Sequence, residues 1–390
     1  ERLEAFARET TTRFPVTFDA LRDCKDSLHS AQRMRSTMSA LKLESLRIQN
    51  FRTFRDLTID RLGRVNLIVG KNNVGKTSLL EAVHFYAGGG TRGGLSSLAS
   101  SRELDLLDTY RSTHQSEFGI ELPAERHLFY GRPDLREVSP DDEEIEGVPE
   151  IVITSTPDRN DSLRAELQFA DRRRVETNVV AGEVGGVSAR VLGNKTLSVF
   201  LSAREIRAEA EKYWDQIALT DDEKRIVHAL QIVEGEVEDV ALATTNATNG
   251  QPQQKTRFPM ARLKGTGRPE PLGNLGEGMN RMFALAIGLV RSADGILLVD
   301  EIENGLHYSV QPDLWRMIFE TAQELNVQVF ATTHSYDCVQ AFEQVAQEYA
   351  RSESMLVSLR RREKNPEDIV AVLSDRDELG AVVEENVEVR

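Results

Sequence analysis

The stretch "VNLIVGKNNVGKTSLLEAVHFYA", residues 65–87, reads in three pieces. Val65 to Val69 is an apolar run of strand length, as expected for a strand covered on both faces of a parallel sheet. Apolar residues at Leu79, Leu80, Val83 and Tyr86 recur at helical spacing, so a helix follows. Between them, Gly70, Gly75, Lys76 and Thr77 match G-x-x-x-x-G-K-[ST] in the strand-to-helix setting that the pattern's chemistry requires. Glycines let a backbone wrap an anion without Cβ clashes, and the amides then converge on it with the positive end of the helix. Gly70, Lys71, Asn72, Asn73, Val74, Gly75, Lys76, Thr77 and Ser78 are therefore read as a phosphate cradle. Lys76 would place a point charge near the β- and γ-phosphates, and the Thr77 hydroxyl would ligate Mg²⁺.

Outward from the loop, "LKLESLRIQNF" from Leu41 and "DLTI" at Asp56 to Ile59 are strand-like. Residues 1–40 carry no strong strand signal and are set apart as an extension without an assigned role. Residues 41–86 form the first part of a core, and 87–274 an accessory region of strands with a helical subdomain. That region has strands near Ile151 to Ser155, Leu163 to Phe169 and Leu197 to Ser202, then one helical stretch from Arg204 to Val233. Residues 275–390 return to alternation: helix Met279 to Val290, strand Gly295 to Val299, helix Pro312 to Leu325, strand Gln328 to Ala331, helix Tyr336 to Ala346. Strands punctuated by helices predict an α/β fold, a mixed and mainly parallel sheet flanked by helices.

Three further constellations carry chemistry. "GILLVDE" places Asp300 and Glu301 after a buried strand, where two carboxylates are costly unless they meet a cation or a reacting water. Asp300 is read as the carboxylate on the Mg²⁺ side and Glu301 as the general base; the plainer alternative is a helix N-cap pair. "VQVFATTHS" sets His334 just past another buried strand, placed to touch a γ-phosphate or the attacking water, although strand-end histidines are often structural. Leu275, Gly276, Glu277 and Gly278 form a glycine-bearing turn ahead of an apolar helix, either a second anion site or a plain helix start.

Composition narrows the function classes. The chain has 390 residues, 48 Lys+Arg and 63 Asp+Glu, for a net charge of −15. An acidic total argues against a broad nucleic-acid-coating surface, so DNA contact would need a local basic patch. Arg172-Arg173-Arg174 is read as a solvated hairpin, Asp141 to Glu146 as a solvated loop, and Gly88 to Gly94 as a helix exit rather than another cradle. No apolar stretch reaches the roughly 20 residues of a membrane span. Cys24 and Cys338 are too few for a disulfide framework or a zinc site, and with no signal-peptide pattern the expectation is a cytoplasmic protein. His84 and Trp315 are read as core or interface residues.

Taken in order, Lys76, Leu275 to Met279, Asp300-Glu301, Asn304 to His307 and His334 resemble the Walker A, signature, Walker B, D-loop and switch-histidine elements of ABC-type ATPases. "LESLRIQNFRTF" with "NLIVGKNNVGKTSLLEAV" resembles the RecF/SMC-related branch. "DEIENGLHYSVQPDLW", "VFATTHSYDC" and "YWDQIALTDDEK" resemble bacterial stand-alone AAA-type ATPases related to the ATPase half of OLD nucleases. The resemblance covers about residues 41–390. It implies a P-loop NTPase of the ABC ATPase type that hydrolyses ATP with Mg²⁺. It further implies head-to-tail dimers or higher even oligomers sandwiching ATP, and a separately encoded effector, often a nuclease in phage defence. Rival readings are an ATP-gated scaffold with little hydrolysis and a RecF-like DNA-repair ATPase. Gly276 and Glu277 depart from the usual Leu-Ser-Gly-Gly-Gln of the signature, removing its hydroxyl donor. Gln115 is a candidate Q-loop residue. Asp375-Arg376-Asp377 mimics part of a Toprim metal site, but the remaining chain is too short for that domain and the segment is read as a solvated loop.

Overall fold

The computed structural model describes residues 41–90, 94, 98, 127–131, 150–155, 162–171, 174–182, 196–202, 206–246, 255–276, 278–349 and 353–384. The 1–40 extension, Cys24, Gln115, the Asp141 to Glu146 run, Arg172, Arg173 and Glu277 lie outside the described residues. The first elements are β1 (Leu46–Phe51), β2 (Phe54–Ile59), β3 (Val65–Val69), α1 (Lys76–Ala87), β4 (Ile151–Thr154), β5 (Ser162–Asp171), β6 (Arg174–Gly182) and β7 (Ser198–Leu201). There follow α2 (Ile206–Ile217), α3 (Asp221–Val233), β8 (Val237–Asn246), β9 (Lys255–Leu263), β10 (Glu270–Pro271), α4 (Met279–Arg291) and β11 (Ile296–Val299). The chain continues through α5 (Gln311–Glu324), β12 (Gln328–Thr332), α6 (Tyr336–Glu348), β13 (Ser354–Arg361), β14 (Ile369–Asp375) and α7 (Arg376–Glu384).

The main sheet has the order β14-β13-β3-β12-β11-β7, parallel throughout except for the β13–β14 pair. Every residue of β3, β11 and β12 is buried, as strands covered on both faces must be. Alternation then divides them between two cores. Val65, Leu67, Val69, Leu297, Val299, Val329 and Ala331 pack with α4, α5 and α6 on one side. Ile68, Ile296, Leu298, Phe330 and Val357 pack on the other side with α1 and with β1, β2 and β4. Trp315, fully buried on α5, donates its indole N–H to the Cys338 carbonyl at 3.2 Å, a core role as its sequence position suggested. Burial pushes the Cys338 thiol up to about 12, so it stays protonated at neutral pH.

Residues 87–274 divide among several layers. Strands β4, β5 and β6 extend the antiparallel β1–β2 pair into a five-stranded sheet of order β2-β1-β4-β5-β6. Strand β7 joins the main sheet beside β11, while β8, β9 and β10 form a separate antiparallel sheet. The stretch 204–233, read as one helix-forming segment, is two helices. Leu219 turns to a φ of 65°, and Thr220 caps α3 by accepting the Asp222 N–H at 3.2 Å. The Glu223 carboxylate reaches back to accept the Leu219 N–H, so Thr220 and Glu223 together satisfy amides on the two sides of the break that ends one helix and starts the next. Asp375-Arg376-Asp377 is not a loop either. Asp375 closes β14, pairs with Arg61 at 2.7 Å and accepts the N–H groups of Asp377 and Glu378 at the start of α7. Gly88 to Gly90 form the expected exit of α1, with Gly89 and Gly90 at positive φ.

A buried ion pair fixes the β1–β2 turn against the helix that begins at the glycine loop. Arg52 Nε lies 2.8 Å from Glu81 Oε2, with side-chain exposures of 14% and 4%. Removing one partner of such a pair strands a buried charge. Glu81→Ala is expected to lower unfolding free energy by about 3 kcal/mol in urea titrations, and Arg52→Met with Glu81→Leu to recover much of that loss.

Candidate active site

Parallel strands bring their carboxyl ends to one edge of a sheet, where open α/β folds bind ligands. Here β3 ends immediately before Gly70, β12 at Thr332 and β11 immediately before Asp300. Strand β12 lies between the other two, with Thr332 paired to Ile68 on one side and Ala331 to Val299 on the other. The register therefore sets Thr332 between the glycine loop and the acid pair.

Thr332 Oγ1 donates to Asp300 Oδ1 at 2.6 Å and accepts the Glu301 N–H at 2.8 Å. Thr77 Oγ1, from the first turn of α1, donates to Asp300 Oδ2 at 3.1 Å. Lys76, 6% exposed, donates from Nζ to the carbonyls of Gly70 at 2.5 Å and Lys71 at 3.2 Å. Burial pulls its ammonium below the usual lysine range, against the opposing pull of the Asp300, Glu303 and Glu301 carboxylates. His334 Nε2 stands 3.9 Å from Glu301 Oε1. A cleft of about 1020 Å³ is lined by Thr53, Asn72, Asn73, Gly75, Lys76, Thr77, Ser78, Glu301, Glu303, Asn304 and His334.

Backbone conformation explains the residue types. Gly70 has a φ of 141°, and a Cβ there would stand 2.4 Å from the Leu359 carbonyl oxygen. At Gly75, φ is 97°, and a Cβ would meet Thr53 Oγ1 at 2.6 Å and the Phe54 ring at 2.7 Å. Gly75→Ala is expected to cost about 2 kcal/mol in loop geometry, read as a roughly 30-fold weaker ATP affinity by titration calorimetry. Glu301 itself sits at a φ of 49°, a conformation that non-glycine residues hold only where their surroundings impose it. Those surroundings are the Thr332 hydroxyl on its N–H and Arg281 of α4, whose guanidinium donates to the Glu301 carbonyl at 2.6 Å and the Ile302 carbonyl at 3.2 Å.

The structure thus gathers Lys76, Thr77, Asp300, Glu301 and His334 at one edge. Leu275, Gly276 and Gly278 do not line the cleft. Leu275 ends a 3₁₀ turn, Gly276 has a φ of 140° with nothing within 4 Å of where a Cβ would stand, and a Cβ on Gly278 would press on Leu306 at 2.7 Å. His84 lies away from the cleft on α1, half-buried and 2.9 Å from Ser198 Oγ through Nδ1, a packing role. Sequence reading gave no role to Thr332, Arg281, Glu303 or Thr53. Thr332, Glu303 and Thr53 fall inside the quoted "VFATTHS", "DEIEN" and "LESLRIQNFRTF" segments, whereas nothing local marks Arg281. Arg361, at the end of β13, also holds the loop by donating to the Asn73 carbonyl at 3.0 Å.

The donor set suits a hard divalent cation. Thr77 supplies a hydroxyl and Asp300 a carboxylate, and hard cations take oxygen ligands. Among the described residues no cluster of three His, Cys, Asp or Glu side chains could hold a metal. The protein therefore offers a partial shell, of the kind that phosphate oxygens and water complete. Among the described residues, too, no helix is long and apolar enough to cross a membrane.

Comparisons with known proteins identify the family and the fold. Residues 65–337, more than half of the chain, match the family model described as "AAA domain, putative AbiEii toxin, Type IV TA system", and residues 41–88 match "AAA ATPase domain". An "ATP/GTP phosphatase" of Helicobacter pylori is 21% identical over 352 residues, covering 78% of this chain and 89% of that protein. The "DNA replication and repair protein RecF" of Chlorobium phaeovibrioides is 28% identical over 159 residues, 36% of this chain and 42% of RecF. Among solved structures, the SmcHead bound to the C-winged helix domain of ScpA superposes with a TM-score of 0.50 at 13% identity, over 85% of this chain and 98% of that one. At that identity the likeness concerns the fold, which is the P-loop ATPase fold of SMC heads.

Proposed function

The chain belongs to this AAA-domain family of ATPases, and on that premise we propose that it hydrolyses ATP with Mg²⁺ along the glycine loop and uses the cycle to control a separate protein. One observation carries the reading: the Thr77 hydroxyl and the Asp300 carboxylate, from opposite sides of β12, meet at 3.1 Å beside Lys76. The Helicobacter relative described as an ATP/GTP phosphatase, which this chain matches over most of its length, supports nucleotide hydrolysis.

Each residue has a task set by its place. The loop amides and Lys76 bind the phosphates, and the lysine, uncomfortable as a buried cation, gains most when phosphate arrives. Thr77 and Asp300 would hold Mg²⁺, with Thr332 fixing the carboxylate from behind. When bound, the ion withdraws charge from phosphoryl oxygens. Glu301 accepts the proton of the attacking water, and His334, across the cleft mouth, orients that water or the terminal phosphate.

A head-to-tail pair of chains is part of the proposal. Its support is that the turn around Gly276 stands outside the chain's own cleft with open space at the glycine, as a contact made to a second copy would need. Such a pair is two-fold and isologous. Differential affinity of ATP for the closed pair would then drive assembly or release of an effector, of the kind found in phage defence. The Gly276 departure favours a second reading, a nucleotide-gated scaffold that turns over slowly.

Phosphate release from ATP by the purified chain in Mg²⁺, abolished by EDTA, tests the catalytic part. Light scattering with and without ATP tests the pairing, with a doubling of mass expected. Background turnover with an ATP-dependent change of mass would select the scaffold. Neither response would remove both readings, and salt-sensitive DNA binding would favour a RecF-like role.

A further inference from the structure

Glu303 stands in the loop leaving β11, two residues beyond the general base, and the roles assigned above do not use it. Its Oε1 accepts the backbone N–H of His334 at 2.8 Å. Its Oε2 is buried with no hydrogen-bond partner among the described residues. A bare buried carboxylate oxygen is costly, and a native fold that keeps one calls for a reason.

The surrounding bonds supply that reason. From Thr332 to Ser335 the chain is pinned residue by residue as it leaves β12. The Thr332 carbonyl accepts the Ile302 N–H at 3.0 Å, and the Thr333 N–H donates to the Ile68 carbonyl at 3.2 Å. Ser335 caps α6 by accepting the Cys338 N–H at 3.3 Å. The His334 amide faces Glu303 instead of a backbone carbonyl, so a side chain from the neighbouring strand exit decides where the His334 main chain sits. Glu303 also lines the cleft beside Lys76 and His334, and its charge favours the cationic forms of both Lys76 and Arg281. Arg281 is itself the clamp on the Glu301 backbone.

We propose that Glu303 is a positioning residue: by holding the His334 amide it sets the imidazole against Glu301, joining the exits of β11 and β12 into one catalytic edge. The inference rests on the ATPase reading above and adds to it a residue that acts through His334 without touching the reacting atoms.

A double-mutant cycle on the full chain tests it. Glu303→Ala removes the acceptor and is expected to lower kcat on the order of 10-fold, with KM for ATP little changed, since misplaced catalytic groups lose rate rather than affinity. Glu303→Gln keeps an oxygen acceptor and is expected to recover most of that loss. In a His334→Ala background, Glu303→Ala should add almost nothing, because the group it positions is gone. If the two losses multiply, or if Glu303→Gln is as slow as Glu303→Ala, the positioning role is overturned while the ATPase reading stands. A wild-type chain without turnover would instead remove the ATPase reading, and the contact would then be judged on the His334 amide itself. With ¹⁵N-histidine labelling and assignment by His334→Ala, that amide proton is expected to move upfield and exchange faster in Glu303→Ala and to hold in Glu303→Gln. An unmoved resonance in Glu303→Ala overturns the inference whatever the activity.

Discussion

Glu301→Gln is expected to slow ATP turnover roughly 10³-fold while ATP binding stays near the wild-type level. Glutamine keeps the size and hydrogen-bonding reach of glutamate but cannot take a proton from water. Positioned general bases contribute about 10²- to 10⁴-fold, so the middle of that range is the expectation. The substitution should leave the local fold intact. The φ of 49° at this position is imposed by the Thr332 hydroxyl and by Arg281, and both grip the main chain rather than the carboxylate. The loop from Gly70 to Ser78, proposed to hold the phosphates, is likewise untouched. Single-turnover phosphate release and equilibrium titration with a fluorescent ATP analogue separate the two quantities. A variant within a few-fold of wild type in rate would show that another group takes the proton.

Lys76→Ala should instead strike binding, weakening ATP affinity roughly 10³-fold, since removing one partner of a buried, hydrogen-bonded charge pair costs about 2–5 kcal/mol. The nucleotide-free protein carries an unusual signature of the same residue. Burial holds the Lys76 ammonium below its ordinary range, so the folded state binds that proton less well than the unfolded chain does. The sign follows from linkage: with the folded value below the unfolded value of 10.5, the unfolded state carries more protons in the window just under 10.5, and stability rises with pH there. Below the folded value the charged lysine is a destabilising presence, which the proposed phosphate would relieve. Lys76→Met is therefore expected to unfold, without nucleotide, at a urea midpoint no lower than wild type, while losing the stabilisation that ATP confers on the wild-type chain. A nucleotide-free variant much less stable than wild type would mean that Lys76 serves the loop's architecture more than its ligand.

Both substitutions were nameable from the sequence because the chemistry they touch is written locally. Strand, glycine loop and helix are contiguous over residues 65–87, and the loop's φ values of 141° and 97° at Gly70 and Gly75 are the conformations glycine is there to permit. Asp300 and Glu301 follow a fully buried strand, and His334 follows another, each visible as an apolar run with a polar end. Among the elements that went unread, two show different reasons. Thr220 to Glu223 carries a legible helix-start signal, and the longer amphipathic rhythm on either side of it conceals the break. The run "SMLVSLRR" of β13 is strand-like on its face, yet its importance lies in pairing with β3, which no local pattern states.

The sequence by itself determined the loop proposed to hold phosphate, because a backbone able to wrap an anion is specified by the glycines and the lysine within it. Tertiary structure alone decided that β12 lies between β3 and β11, since burial on both faces makes every central strand acceptable to every other and leaves the order to packing against the helices. That order put Thr332 on Asp300, Arg281 on the Glu301 carbonyl and Glu303 on the His334 amide, contacts between residues 20 to 32 positions apart. Hydrogen bonds at such separations depend on where whole strands settle, and only the assembled sheet supplies that.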